Sequence, residues 1–328
     1  MMSAAGANNS KIGLISDFIS SSTSSQIQVV LMVFTYRKFA DLFWTWRGYE
    51  IGYCAEGLEE NLDKPALVLI HGFGASVGHW RKNIPVLAKK YRVYAIDLIG
   101  FGSSAQPKPS DLPYTFETWG QQVADFVKEV VGDRAILVGN SIGAVVAMQA
   151  AVYAPDLIAK TVLINCSLRL LQEQNQLDMP WFKRIGVKTV QNILGNRAIA
   201  KLFFDQVRNR RSVRQILSQA YIDRSAITDE LIDILIKPAL NPNAVDVFMA
   251  FVRYSQGPRP EDLLAILPCD AIVLWGERDP WEPIEMGRSS FTRFACVKEF
   301  IAIANAGHCP QDEVPEIIND ILLKIVAV

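Results

Sequence analysis

Histidine is scarce in this chain, with only His71, His79 and His308 among 328 residues. Any chemistry that needs an imidazole proton shuttle near neutral pH must draw on one of these three. Cysteine is nearly as rare: Cys54, Cys166, Cys269, Cys296 and Cys309 are odd in number, widely spaced and without a C-x-x-C pair. Neither a disulfide framework nor a zinc site is indicated, and buried reduced thiols in a reducing compartment are expected. Charge of one sign is not in excess: the formal net charge is −1, which excludes a global nucleic-acid binder. Long apolar runs are missing as well. The run from Ile27 to Phe34 falls short of the roughly 20 residues that span a bilayer, and it lacks the basic start and small-residue cleavage pattern of a secretory signal.

What is abundant is core-forming material. Hydrophobic residues make up 50% of the chain, enough for one large core with an inserted subdomain or for two domains. The first 25 residues are rich in Ser, Ala and Asn and poor in charge. Residues 1–40 are expected to form a flexible, amphipathic or membrane-surface segment, with a cleaved targeting peptide as the alternative.

Strand-like runs recur after that segment. Phe43 to Arg47 and Glu50 to Cys54 read as an opening hairpin around Gly48. Ala66 to Ile70 is continuously apolar, as expected of a strand buried on both faces. Val93 to Leu98, Ala135 to Val138, Thr161 to Asn165, Ala271 to Trp275 and Val297 to Ile303 repeat the theme. Phe116 to Val131 and Asn140 to Tyr153 read as helices between them. Such alternation predicts an α/β domain with a mostly parallel sheet and right-handed crossovers.

The alternation breaks between Leu168 and Ser255. That stretch has helical periodicity at Trp181 to Leu194, Ala198 to Val207, Val213 to Tyr221, Asp229 to Ile236 and Ala244 to Tyr254. A helical cap over 168–255, inserted into a core of 41–167 and 256–328, is the expected organisation. From Arg169 to Arg224 there are eleven Arg or Lys residues against four acids, a surplus of seven. The run Arg208, Arg210, Arg211 and Arg214 reads as a solvated helix face. The sharper alternative is peripheral contact of the basic cap and the N-terminal segment with anionic lipid headgroups.

Four motifs carry chemistry. Gly139-Asn140-Ser141-Ile142-Gly143 follows the strand-like AILV and precedes the small-residue helix AVVAMQAA, the setting of a G-x-S-x-G nucleophile elbow. The glycines remove side chains that a sharp strand-to-helix turn cannot hold, and Ser141 comes to lie at a helix N-terminus, where the dipole favours negative charge. His71-Gly72-Phe73-Gly74 follows the strand ALVLI. Its loop can present the N–H of Phe73, together with that of Ile142, to an oxyanion. His71 itself reads as structural, and His79 as a surface or packing residue. Gly276-Glu277-Arg278-Asp279-Pro280 leaves the carboxyl end of the strand AIVLW, where ligands bind in open α/β sheets. Asp279 fits the orienting acid, with Glu277 as its rival. Ala306-Gly307-His308-Cys309-Pro310 follows the last strand, giving the order Ser, Asp, His. Asp97-Leu98-Ile99-Gly100-Phe101-Gly102-Ser103 reads as a turn that shapes the pocket.

Together these motifs resemble the α/β-hydrolase superfamily from about Trp44 to the end of the chain. GNSIGA, WGERDPWEP and AGHCPQDEVPE look like the plant and cyanobacterial branch that includes pheophytinase and chlorophyll dephytylase, whose members are similar in the Gly-His-Cys-Pro sequence, here Gly307 to Pro310. The resemblance implies a plastid or a cyanobacterial cytoplasm or thylakoid surface. It also implies hydrolysis of a long-chain ester, the phytyl ester of a chlorophyll pigment among them.

The expected mechanism is attack by Ser141 with His308 as general base, oriented by Asp279, through an acyl-enzyme. It needs no metal and no organic cofactor. The expected partner is a small, apolar ester. Trp80 and Trp281 are candidate substrate contacts at the pocket mouth, and Trp181, Phe182, Phe203, Phe204, Phe248 and Phe251 supply apolar faces to the cap. Serine at position 141 excludes the dehalogenases and epoxide hydrolases of this fold, which use Asp. Carbon–carbon bond hydrolases and perhydrolases share the triad and stay open, as does a binding protein that keeps the triad but turns over little.

Overall fold

Side-chain alternation along the strands decides how the central layer is covered. In β3 (Ala66–Ile70) every side chain is buried. Ala66, Val68 and Ile70 enter one apolar layer, and Leu67 and Leu69 enter the other. β5 (Ala135–Asn140) divides in the same way, with Leu137 on the first side and Ile136 and Val138 on the second. A strand that must satisfy two cores has no polar side and reads as an unbroken apolar run.

The computed structural model describes residues 39–168, 196–254 and 256–326, all within one compact unit. The expectations for 1–38, and for Trp181 to Leu194 with its Trp181 and Phe182, lie outside the described residues. The eight-stranded sheet has the order β1-β2-β4-β3-β5-β6-β7-β8. β1 (Leu42–Trp46), β2 (Tyr49–Glu56) and β4 (Arg92–Ile96) are joined by antiparallel pairing of β2 to both its neighbours. β4, β3, β5, β6 (Ile158–Ile164), β7 (Asp270–Gly276) and β8 (Val297–Ile303) are parallel. The opening hairpin turns through Arg47 and Gly48, whose φ values of 50° and 83° are both positive. A two-residue turn with both central residues left-handed matches the twist of the strands it joins.

The winding reverses at β3. From it the chain steps outward to β4, then returns to β5 on the other side. The crevice at the carboxyl ends of β3 and β5 is therefore the topological switch point, the place where open α/β sheets bind ligands. The chain leaves these two strands through the HGFG and GNSIG motifs.

On one face of the sheet lie α1 (Phe116–Phe126) and α2 (Ile142–Tyr153), which fill the larger apolar layer. Thr115 caps α1 by accepting the N–H of Thr118, which fixes its start at the predicted residue. The last predicted turn, Val127–Val131, is wound as a π-helix and closes on Gly132 in the left-handed region at φ 69°. The opposite face is covered by Trp80, Ile84 and Leu87 and by the final helix, which runs over Pro315–Val326.

Between β6 and β7 the described residues are helical: α3 (Arg197–Val207), α4 (Arg210–Ala220), α5 (Asp229–Ala239) and α6 (Ala244–Arg253). Asn196, Asn209 and Thr228 cap the first three. The basic run is matched by acids: Arg208 pairs with Asp205, Arg210 with Asp229 and Asp233, and Arg214 with Asp229. Arg197 pairs with Asp246. Among the described residues, Arg197, Arg210 and Arg214 are thus met by the acids of α5 and α6, and Arg208 by Asp205 of α3. No helix among the described residues is long and apolar enough to cross a membrane.

Candidate active site

The nucleophile elbow is built by close backbone approach. Ser141 sits between β5 and α2 at φ 57° and ψ −120°, a strained conformation for a residue with a side chain. Its N–H donates to the carbonyl of Ile164. A Cβ on Gly139 would lie 2.2 Å from the carbonyl oxygen of Gly143, and one on Gly143 would lie 2.4 Å from that of Ile70. Two strand ends and a helix start share this space, so only hydrogen fits there. Gly143→Ala is expected to cost at least about 3 kcal/mol, because backbone rather than a flexible side chain must give way. A lower midpoint in urea denaturation, with an unchanged slope, is the check.

The imidazole of His308 bridges the other two groups. Its Nε2 lies 3.0 Å from Ser141 Oγ and its Nδ1 lies 2.7 Å from Asp279 Oδ2. With a carboxylate on one side, Nδ1–H donates to Asp279 and Nε2 is left to accept the serine proton. Asp279 also accepts from the Trp281 and Glu282 N–H groups and from Asn165 Nδ2. Burial opposes its charge, yet the hydrogen bonds from His308, Asn165 and the Glu282 N–H hold its carboxyl below the usual range. Glu277, its rival in the sequence, makes no such contact: its N–H donates to Ile303 and its side chain is exposed.

The base is fixed along its backbone as well. The N–H of His308 donates to Ala220 of the cap, and its carbonyl accepts from Asn140 Nδ2. Glu313 receives the N–H groups of both Gly307 and Ile222, tying the histidine loop to the chain after α4. Cys309 packs inside the apolar cluster of α4 and α5.

The three histidines thus differ by their surroundings. His71 is buried with both nitrogens engaged: Nδ1 donates to the Gly72 carbonyl and Nε2 accepts from the Leu98 N–H. Burial lowers its pKa to about 4, so it stays neutral and has no free site for a substrate proton. His79 is neither exposed nor purely apolar in its packing. It is buried at the cavity wall, where its Nε2 donates to the Tyr221 hydroxyl, which in turn donates to Asp312.

A cavity of about 470 Å³ opens over Ser141 between the core and the cap, inside the range of roughly 300–1,000 Å³ typical of small-molecule sites. Phe73 and Ile142 line it beside Ser141. Ile142 is the first residue of α2, so its N–H has no partner carbonyl one turn earlier in that helix. The Phe73 ring stacks on Phe251 of α6 at 4.2 Å. Phe204, Phe248 and Phe251 reach the cavity, whereas Phe203 stacks behind Phe248. Trp281 lies at the wall, 40% exposed and with its ring 5.0 Å from that of His308.

Trp80 requires a correction. It is 0% exposed and belongs to the apolar layer with Leu67, Leu69 and Leu87. The 3₁₀ turn Val77–Trp80 directs His79 to the cavity and its neighbour into the core, so Trp80 is no substrate contact.

Two further residues of the site receive no role from the sequence alone. Asn165, at the end of β6 and at φ 42°, donates Nδ2 to Asp279 and to the Gly307 carbonyl and accepts the Gly276 N–H. Its place just past a parallel strand was the available signal. Glu282, three residues beyond Asp279, is buried in the cavity wall. Among the described residues, no group of three or more His, Cys, Asp and Glu side chains is arranged to hold a metal ion.

Known proteins resemble this chain in sequence and fold. A sequence model described as the alpha/beta hydrolase family matches residues 67–321. The chloroplastic pheophytinase of Arabidopsis thaliana is 27% identical over 79% of this chain, which spans 60% of that protein's length. A 2-hydroxymuconate semialdehyde hydrolase of Pseudomonas sp. is 28% identical over 70% of this chain and 77% of its own. Among solved structures, a serine hydrolase involved in carbazole degradation superposes with a TM-score of 0.68 at 21% identity, covering 87% of this chain and 98% of its own. At that identity the likeness speaks for the fold.

Proposed function

We propose that this chain, which belongs to the alpha/beta hydrolase family, is a serine hydrolase that cleaves a carboxylic ester through an acyl-enzyme. One observation carries the reading: Ser141 Oγ, His308 and Asp279 form a continuous hydrogen-bonded line at 3.0 and 2.7 Å. In the proposed sequence His308 Nε2 takes the serine proton as Oγ attacks the ester carbonyl, and Asp279 stabilises the imidazolium that results. The N–H groups of Ile142 and Phe73 receive the oxyanion, each worth about 3–4 kcal/mol in the transition state. His308 then protonates the leaving alcohol, and water enters by the reverse path.

The favoured substrate is the ester of a long apolar alcohol, a phytyl ester of a chlorophyll pigment in particular. Support comes from the likeness to a pheophytinase and from the apolar cap side chains Phe204, Val207, Leu217 and Phe248 around the cavity. The same reading puts the protein where such pigments occur, in a plastid or at a thylakoid surface.

Purified protein should release phytol from chlorophyll a or pheophytin a, separated by chromatography, and should also cleave a 4-nitrophenyl alkanoate. Cleavage of the nitrophenyl ester alone would remove the pigment. Cleavage of a 2-hydroxy-6-oxo-dienoate in preference to every ester would move the protein to the carbon–carbon hydrolases, the chemistry of its Pseudomonas relatives.

A further inference from the structure

Among the described residues that line the cavity, one carboxyl group is not used by the triad. Glu282 is 9% exposed and lines the same wall as His308 and Ser167. Its N–H is engaged with Asp279. Its carboxyl accepts from the Leu168 N–H and the Ser167 hydroxyl. Its second oxygen, Oε2, is closed off from solvent and has no hydrogen-bond partner among the described residues. A buried oxygen left without a partner costs free energy.

The chemistry of the complement follows from the charges nearby. The groups that face Glu282 among the described residues are His308, Asp279, Ser167 and the Leu168 N–H, together with the Cys166 thiol. Burial, which outweighs the pull of His308, pushes the Glu282 carboxyl up to about 7. Asp279 is held low, and burial keeps Cys166 protonated. Among the described residues that line the cavity, Arg208 is the one Arg or Lys, and it is already paired with Asp205. A substrate carboxylate entering here would find no free Arg or Lys among the described lining residues and a carboxyl group at close quarters.

We propose that Glu282 selects neutral substrates: its carboxyl, buried in the cavity wall beside His308, repels a substrate anion when it is ionised and not when it is protonated. This rests on the ester-hydrolase reading above and narrows it to uncharged esters. It also separates the protein from hydrolases whose substrates are themselves carboxylates, such as the 2-hydroxy-6-oxo-2,4-heptadienoate hydrolase among its relatives.

The experiment compares matched pairs of 4-nitrophenyl esters of C6 to C9 diacids, the far carboxyl being either free or methylated. The free acid is ionised throughout the pH range 6 to 8. The readout is the ratio of kcat/KM for the neutral and anionic member of each pair, from which the titration of His308 cancels. The ratio should rise at least about tenfold between pH 6 and pH 8 for one or more chain lengths, as Glu282 ionises. In Glu282→Gln, checked for folding by its melting temperature, the ratio should be flat within about twofold. A wild-type ratio independent of pH at every chain length would overturn the inference, as would a rise that persists in the Gln variant. If neither ester is cleaved and a fluorophosphonate does not label Ser141, the hydrolase reading itself has failed.

Discussion

Ser141→Ala is expected to fold, to melt within a few degrees of wild type, and to hydrolyse esters roughly 10⁴- to 10⁶-fold more slowly. The stability half of this expectation comes from the backbone. At φ 57° Ala carries the same Cβ as Ser, so the strain of the elbow is neither relieved nor increased. The substitution removes the 3.0 Å hydrogen bond to His308 and leaves the elbow's backbone bonds in place. Ser141→Gly is a useful companion, since Gly adopts positive φ without that penalty. It should be as inactive as the Ala variant and more stable by about 1 kcal/mol. Release of 4-nitrophenol and intact-mass detection of a fluorophosphonate adduct are the measurements. Turnover above a few per cent of wild type in either variant would mean that another group attacks the substrate.

Asp279→Asn should lower kcat by about 10⁴-fold while leaving KM within a few-fold of wild type. The carboxylate receives hydrogen bonds from His308 Nδ1, Asn165 Nδ2, Trp281 N and Glu282 N. An amide offers one acceptor oxygen for these four donors, and its NH₂ faces at least one of them. If it faces His308, the imidazole must place its proton on Nε2, where it can no longer accept from Ser141. A pH effect on stability accompanies this. The folded-state pKa of Asp279 is depressed, so its charge stabilises the fold above the unfolded value of about 3.9 and ceases to do so as pH falls through the lower, folded value. The gap in melting temperature between wild type and Asp279→Asn should therefore be full at pH 7 and narrow below about pH 4. An equal gap at both pH values would assign the loss to packing rather than charge.

Where a sequence pattern had a single physical cause, it could be read directly. β3 falls on the predicted residues because a strand buried on both faces is bounded by abrupt changes in polarity, and the half-exposed edge strand β8 also spans the predicted Val297–Ile303. Ser141, Asp279 and His308 come together because each ends or follows a parallel strand. Boundaries set by a side chain outside the apolar pattern were harder. The second described cap helix starts at Arg210, not at Val213, because Asn209 accepts the Ser212 N–H and so starts the helix before any apolar residue. Trp80 misled because an aromatic beside a Gly-rich loop has the same composition whether it faces the cavity or the core, and a 3₁₀ turn decides between the two. Asn165 had no motif of its own, and Glu282, although inside WGERDPWEP, was given no role by it. Their roles come from distances across the sheet ends, which no local spacing encodes.

The pairing of β6 with β7 also sets a schedule. β6 ends at Ile164 and β7 begins at Asp270, so the nucleophile is synthesised with one half of the sheet and its acid and base with the other, after the whole cap. Closing a connection of about 100 residues instead of about 10 costs only about 2 kcal/mol in loop entropy. The cap can therefore change in length over evolutionary time with little effect on whether the sheet is stable. Folding rate is more sensitive than stability to such non-local pairing. On the ribosome the apolar edge of β6 waits uncovered until β7 arrives, and a chain that lengthens its cap prolongs the interval in which that edge can pair with another molecule.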